Sequence, residues 1–549
     1  MPIPEKVLTA LKSSLEGDVV FDDKTLTHYS TDASLFVVKP ALVIYPKNAE
    51  DIKKVVSIVS LHKKDYPDLS ITPRAAGTCM SGGPLNKSII LDVTKYMQGE
   101  TKIVGNIAET LPGTFYRDFE QETLKTNQIL ASFTASRDLN TIGGMVGNNS
   151  GGEKNLRFGK TEKYLKQSSI ILADGKEYEV QPLTREELEQ VMKTDDVWGR
   201  LHASLFKLIT DNLEIIKKAE PKVSKNSAGY YLWHVWDGQT FDLNKLIVGS
   251  QGTLGITSQV KLELVPVEKH EQLLVVFLPD LKQISQVIND VLTFKPTSLE
   301  SYDQHTFGLA LRFLPELMKK MKLKNLFKLG LSFWPEFKMF LRGGVPKMVL
   351  LVEFTGGDDQ DLSQKIAALD KKLKSYQVAT HQADNKTEIE KYWTIRRESF
   401  SLLREHIKGK RTAPFIDDII VRPEFLPEFL PKLQAILDEY DLIYTVAGHA
   451  GDGNFHIIPL MDMTDNKNHD VILELSDRVY DLVLKFEGSI TAEHNDGIIR
   501  TPYLEQMYGT EIVALFKRVK HIFDPENIFN PGKKVGGTKE DIKKYLVSK

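Results

Sequence analysis

Two short segments carry the residues best suited to chemistry. TVAGHAGDGNFHIIPL places His449 and His456 seven positions apart around a Gly-Asp-Gly-Asn turn, and SITAEHNDGIIR sets Glu493 directly before His494. Seven apart on one helix would mean one face, but the glycines favour a bent strand or loop that brings both imidazoles to one side. Two histidines and a carboxylate make a three-ligand site with open positions, suited to a divalent metal such as Zn²⁺, Mn²⁺ or Fe²⁺. The competing reading is two unrelated, hydrogen-bonded structural histidines, and spacing alone favours it. A cation for an anionic substrate is on offer in KYWTIRRESFSLLREH, where Arg396, Arg397 and Arg404 share a helical stretch. Arg396 and Arg397 are adjacent and diverge, so at most one is expected in the site. A guanidinium there can clamp a carboxylate with two parallel hydrogen bonds, the alternative being a solvated helix face with Glu398 as partner.

Three glycine-rich loops stand upstream. The first, in ITPRAAGTCMSGGPLNKSIILDV, joins two strand-like runs, and its small residues let backbone N–H groups converge on an anion such as a diphosphate. It is neither a Walker A loop nor a GxGxxG turn. The second, LNTIGGMVGNNSGGEKNLRFGKT, precedes the strand SSIILADG, and the third is IVGSQGTLGIT. Three such loops in one domain imply a long ligand gripped along its length, as a dinucleotide requires.

The elements that must position these groups fall into two lobes, as 549 residues exceed what one hydrophobic core serves. Residues 1–60 predict an amphipathic helix, a polar stretch, a strand near Ala41–Tyr45 and a helix opened by Asn48. To residue 265, short β-rich runs alternate with glycine loops and helices, an α+β or α/β pattern. Residues 266–480 predict a second lobe of mixed-charge helices alternating with strands such as QLLVVFL and KMVLLVEF. Within it, residues 312–347 are strongly basic and aromatic, either a partly solvated helical insertion or a surface for anionic lipid or an acidic redox partner. Apolar content of 41%, charged content of 26% and a net charge of −3 give no global pull toward nucleic acid. One cysteine, Cys79, excludes a disulfide framework or an iron–sulfur cluster built from these residues alone. With no signal peptide and no apolar run of about 20 residues, the expectation is a cytoplasmic protein, with peripheral contact to the inner membrane face through 312–347 as an extension.

The order Pro-Arg-small-small-Gly-Thr, Thr-Ile-Gly-Gly with Asn-Asn-Ser-Gly-Gly, then Gly-Ser-Gln-Gly-Thr-Leu-Gly resembles the FAD-binding domain of the vanillyl-alcohol oxidase and p-cresol methylhydroxylase (PCMH) superfamily. Within it the chain, from about Asp32 to Lys533, is similar to the FAD-linked D-lactate, glycolate and D-2-hydroxyglutarate dehydrogenases. The resemblance implies an α+β fold: a two-subdomain FAD-binding domain (1–265), a substrate or cap domain with an antiparallel sheet (266–480), and a C-terminal segment (481–549) returning to the FAD lobe. It implies that Arg74, Ala75, Ala76, Gly77, Thr78, Ser81 and Gly82 hold the diphosphate. Thr141, Gly143, Gly144, Asn148 and Gly151 would line the flavin and ribityl region, with Gly252, Thr253 and Ile256, then Asn530 and Lys533 from the chain end, completing the cofactor site. His449, His456 and Glu493 match metal ligands, His494 a catalytic base, and Arg396 a carboxylate-binding arginine. Lys225, Asn226 and Tyr230 resemble a stretch near the flavin. The chain departs from the pattern at Ala75, Ala76, Gln251, Ala135, Ser136 and Asn495, which stand where glycine, glutamate, proline or glycine is common. The implied activity is oxidation of a small D-2-hydroxy acid to the 2-keto acid. Electrons would pass to a separate iron–sulfur partner, an electron-transfer flavoprotein, quinone or oxygen. The alternatives are a non-redox flavin-dependent transferase of the ether-lipid type and a flavoprotein subunit of a larger oxidase.

Overall fold

The computed structural model describes residues 3–312, 345–383, 385–406 and 409–547. The basic, aromatic stretch 312–347, for which a partly solvated helical insertion and a lipid or partner surface were both open, lies almost wholly outside the described residues, as does the side chain of Arg404.

Near the N-terminus, Asn48 caps the helix Ala49–His62 by accepting from the Asp51 backbone N–H. Ile52, Val55, Val56 and Val59 recur at the spacing of one helical face, and that face is buried against a four-stranded sheet. Its strand order is Asp18–Val20, Leu42–Tyr45, Ile89–Asp92, Ile71–Arg74, the last three parallel. The segment read as merely polar contains a short helix, Asp23–His28, capped by Asp22. The first glycine loop leaves the carboxyl end of Ile71–Arg74, where open α/β sheets bind ligands.

A five-stranded antiparallel sheet follows, ordered Lys102–Val104, Ile107–Thr110, Ile256–Glu263, Leu165–Ile171, Glu177–Val180. Burial alternates strictly along Ile256–Glu263, so Val260 and Leu262 pack into a core with Ile142, Met145 and Val146. Those three belong to the helix Ile142–Asn148, whose cap is Thr141 Oγ1 accepting from Gly144 N at 3.3 Å. The second glycine loop is therefore the start of a short helix.

The third sheet has eight antiparallel strands, and its centre is Met348–Gly356, flanked by His270–Leu278 and Ser298–Asp303. Its two faces bury different partners. Leu274, Val276, Leu350 and Val352 meet the helices Ile284–Thr293 and Asp359–Leu373. Leu273, Val275, Val349 and Leu351 meet Tyr392, Trp393 and Ile395 of the helix Lys386–His406. Coverage on both sides is why the central strand is apolar almost throughout. It also lays the arginine-bearing helix across the sheet.

The chain end returns to the first lobe. Ile71 N–H donates to Ile528 O at 2.7 Å and Asn530 N–H to Ile71 O at 2.8 Å, adding residues 528–530 beside the first sheet. Phe516, on the helix Leu504–Phe523, packs edge-on against Tyr230.

Candidate active site

The two histidines of the first segment lie on a β-hairpin. Strands Ile443–His449 and Asn454–Met461 pair with Ala447 opposite His456 and His449 opposite Asn454. Directly opposed residues share a face, so both imidazoles project to one side, their ring centroids 5.3 Å apart. The turn depends on Gly453, at φ +72°, where a Cβ would stand 1.9 Å from the Val421 carbonyl oxygen. Strand Ser298–Asp303 lies alongside, with Ser301 opposite Gly448 and Tyr302 opposite Ala447. That register sets Glu300 next to His449, with Oε1 2.5 Å from Nδ1.

A second device shapes the Ala-Glu-His turn. Asp418 Oδ2 accepts from Thr491 Oγ1 at 2.6 Å, Glu493 N at 2.8 Å and His494 N at 2.7 Å, while its Oδ1 accepts from Asn454 Nδ2 at 3.1 Å. Asp417 turns its oxygens to two rings, Oδ1 to His456 Nδ1 at 3.1 Å and Oδ2 to His494 Nδ1 at 2.5 Å. Those rings stack at 4.9 Å. Just after them Asn495 adopts φ +69°, a left-handed conformation that asparagine tolerates better than most residues with a side chain, so the turn forms there without glycine. Its amide donates to Asn148 O and Gly249 O at 3.1 and 2.9 Å, tying the turn to the second and third loops.

The result is a convergence on Glu493 Oε1, which lies 3.1 Å from His449 Nε2, 3.5 Å from His456 Nε2 and 4.0 Å from His494 Nε2. The other oxygen, Oε2, meets Lys225 Nζ at 3.2 Å. Donors bound about 2.0–2.2 Å from a tetrahedral zinc stand roughly 3.3–3.5 Å apart, and the separations of Glu493 Oε1 from His449 Nε2 and His456 Nε2 are of that order. The donor atoms that all lie within 4.8 Å of one another leave out His449; they belong to His456, Glu493, His494 and Asp418. The oxygens of Asp418 already accept four hydrogen bonds, which makes it a scaffold for the turn. Burial disfavours a charged His456, but Asp417 and Glu493 outweigh it and raise its pKa to about 10. Against the same burial, Glu300 raises His449, and Asp417 and Asp418 raise His494. Despite its own burial, Lys225 and His449 hold Glu493 well below the usual carboxylate range. A cation entering here displaces protons from imidazoles already seated in place.

His449, His456, Glu493 and His494 line one wall of a cavity of about 420 Å³. Another wall is built of the three glycine loops: Arg74, Ala75, Ala76, Gly77, Thr78, Thr141, Gly143, Gly144, Asn148, Gly151 and Gly252 all line it. A Cβ at Gly147 would meet nothing within 4 Å, so the second loop borders open space. Small residues on three loops around one elongated space suit a dinucleotide. Six residues expected at the cofactor lie off the cavity. Ser81 and Gly82 are buried behind the first loop, Gly82 against Phe36 and Ile498. Thr253 Oγ1 is hydrogen-bonded to Tyr230 OH at 2.6 Å, and Ile256 is core. Asn530 braces the loops from behind, donating to Gly83 O at 2.9 Å and Gln251 O at 2.7 Å. Lys533 Nζ donates to Leu85 O at 2.6 Å and faces a separate cavity.

Arg396 reaches Glu300 Oε2 with Nη2 at 3.2 Å, and its buried Nε has no hydrogen-bond partner among the described residues. Arg397 also lines the cavity, a correction to the expectation that only one would. It does so from the rim, where its Nε donates to Glu153 Oε1 at 2.6 Å. Two long side chains about 100° apart on a helix can both border a wide space. Glu300, Asp417, Asp418 and Glu153 were not singled out in the sequence. Only the Asp417-Asp418 pair inside the apolar run FIDDIIV carries a signal, that of buried acids.

Two family models match the chain, the FAD-binding domain at residues 40–181 and the FAD-linked oxidase C-terminal domain at 267–534. The fold is shared with p-cresol methylhydroxylase, with a TM-score of 0.68 over 97% of each chain at 14% identity. The chain belongs to the FAD-linked oxidases, whose FAD-binding and C-terminal domain models together match most of it. Within that family, the chain is related to the branch of D-2-hydroxyglutarate dehydrogenase, D-lactate dehydrogenase and glycolate oxidase. It is 26% identical over 542 residues to D-2-hydroxyglutarate dehydrogenase of Pseudomonas putida, covering 96% of this chain and 52% of that protein. It thus spans about half the length of the first curated relatives it matches. To glycolate oxidase subunit GlcD of Bacillus subtilis it is 26% identical over 97% of both chains. Among the described residues no helix is long and apolar enough to cross a membrane.

Proposed function

We propose that this chain oxidises a small D-2-hydroxy acid to the 2-keto acid, with a divalent metal at His449, His456 and Glu493. The observation that carries the reading is the meeting of His449 Nε2 and His456 Nε2 at Glu493 Oε1, 3.1 and 3.5 Å away, in the wall of the glycine-loop cavity that Arg396 also lines. When bound, FAD supplies the two-electron oxidant and the cation supplies Lewis acidity. Arg396, with its partnerless Nε, receives the substrate carboxylate and fixes which face of C2 is presented. His494 Nε2 takes the hydroxyl proton, the other ring nitrogen being held by Asp417. Lys225 keeps Glu493 ionised and turned toward the histidines.

The single cysteine within these 549 residues cannot ligate an iron–sulfur cluster, so electrons leave for an acceptor outside them. The test is anaerobic titration with D-lactate, glycolate, D-2-hydroxybutyrate and D-2-hydroxyglutarate, with elemental analysis of the same sample. Bleaching of the oxidised flavin by at least one acid, with about one divalent metal per chain, supports the reading. An unbleached flavin throughout, with metal and FAD bound, overturns it.

A further inference from the structure

Asp417 is fully buried and donates to nothing; its two carboxylate oxygens accept from two different imidazoles, at 3.1 Å from His456 Nδ1 and 2.5 Å from His494 Nδ1. One of those rings is a proposed metal ligand and the other the proposed base, and they are stacked at 4.9 Å with planes only 21° apart. A carboxylate can only accept hydrogen bonds here, so each Nδ1 must carry its proton. In a neutral ring the lone pair then resides on Nε2. Both Nε2 atoms face Glu493 Oε1, at 3.5 and 4.0 Å.

We propose that Asp417 is a positioning residue that sets both tautomers at once, aiming the lone pair of His456 at the metal and that of His494 at the substrate hydroxyl. The inference rests on the metal and base assignments proposed above. It makes metal binding and proton abstraction depend on one carboxylate. The backbone fixes Asp417 from two sides. Arg500, itself buried, donates from Nη2 to Asp417 O at 2.6 Å and from Nη1 to Asn495 O at 2.9 Å, linking the aspartate to the residue that follows the base. Asp418, the next residue, holds the amides of Glu493 and His494. The acid and the turn it serves are thus registered to one another by four hydrogen bonds, two through Arg500 and two through Asp418.

Two variants of the purified flavoprotein separate the two duties. Asp417→Ala removes both acceptors, and zinc affinity of the metal-stripped protein should fall about 10–100-fold, the usual consequence of losing an outer partner of a metal ligand. Asp417→Asn keeps the shape but offers one accepting oxygen and one amide N–H, so one ring is driven into the wrong tautomer. Turnover, or zinc affinity, should fall by about 10²-fold or more while flavin absorbance is kept and KM moves less than about threefold. Where Asp417→Asn lowers turnover at full metal loading, that cost should largely vanish in a His494→Ala background, since the part of its role exercised through the base then has nothing left to position. Zinc affinity of Asp417→Ala within threefold of wild type overturns the proposal, as does an Asp417→Asn variant with both properties unchanged. If Asp417→Asn does not accumulate as a folded flavoprotein, Asp417→Glu and Asp417→Gln replace it. At least tenfold higher turnover or zinc affinity for Glu supports the inference, and equality in both overturns it. Should no 2-hydroxy acid reduce the wild-type flavin, the functional reading fails by itself, and zinc affinity still decides the role of Asp417.

Discussion

His494 and Arg396 hold the two ends of the same substrate in the proposed reaction, and each has a distinct kinetic signature. His494→Ala should lower kcat by about 10²–10⁴-fold, the range general-base catalysis supplies, with flavin absorbance and metal content unchanged. Loss of flavin in that variant would assign His494 to cofactor binding instead. Arg396→Lys keeps the charge but loses the planar fork and the partnerless Nε. Losing a charge-assisted hydrogen bond worth about 1.5–3 kcal/mol should lower kcat/KM by about 10–150-fold, mainly through KM. An unchanged KM would place the substrate carboxylate elsewhere. That His449, His456, Glu493 and His494 could converge was legible in the sequence because histidine beside Gly-Asp-Gly, and Glu-His in a small-residue turn, are unusual juxtapositions. Glu300 was not legible. It sits in an ordinary strand, SLESYD, and acquires its role only through a register with Ile443–His449, about 150 residues away in sequence.

At the scale of elements, the hairpin is the structure on which the proposed metal site depends. Gly453→Ala adds a methyl where the Val421 carbonyl stands 1.9 Å away, at a φ of +72° that alanine resists. The variant should lose most of its metal while retaining its flavin absorbance, because the glycine loops lie on other elements. Elemental analysis beside the visible spectrum checks this, and full metal retention would show the hairpin tolerating the change. The seven-residue spacing was ambiguous between a helix face and a bent strand until the turn glycines were weighed, and the hairpin fulfils the second reading. The helix opened by Asn48 was equally plain, since cap and periodicity agree. The positions of Thr253, Ile256 and Asn530 were harder to read. Each neighbours a loop that borders the cavity, and a strand or turn sends alternate side chains to opposite sides, so adjacency in sequence did not give direction.

Across the whole molecule, the site is assembled from the first lobe, the large sheet and the returning C-terminal segment, and the seam between lobes carries its own ionisable group. Glu353, on the strand Met348–Gly356, accepts from Ser298 Oγ at 3.2 Å and lies 3.9 Å from Lys154 Nζ of the second glycine loop. Burial raises its pKa to about 8, above the ordinary 4.5, with Lys154 opposing. The folded state therefore holds a proton that the unfolded chain releases near 4.5. The stability this contributes is fully present below that pH and is lost as pH rises through about 8. Glu353→Gln should flatten the decline of the apparent Tm between pH 5 and 8 and exceed wild type at pH 8; parallel curves for the two proteins would contradict this. No sequence pattern announces such a group, because its burial depends on how the lobes meet.

The central claim concerns the cavity where the three glycine loops meet the histidine hairpin. Anaerobic mixing of the flavin- and metal-loaded protein with a panel of D-2-hydroxy acids tests it most directly. The account predicts stoichiometric bleaching of the flavin by at least one D acid, a much weaker response to its L enantiomer, and formation of the matching 2-keto acid. A flavin that stays oxidised with every acid, in protein shown to hold both FAD and metal, would contradict it.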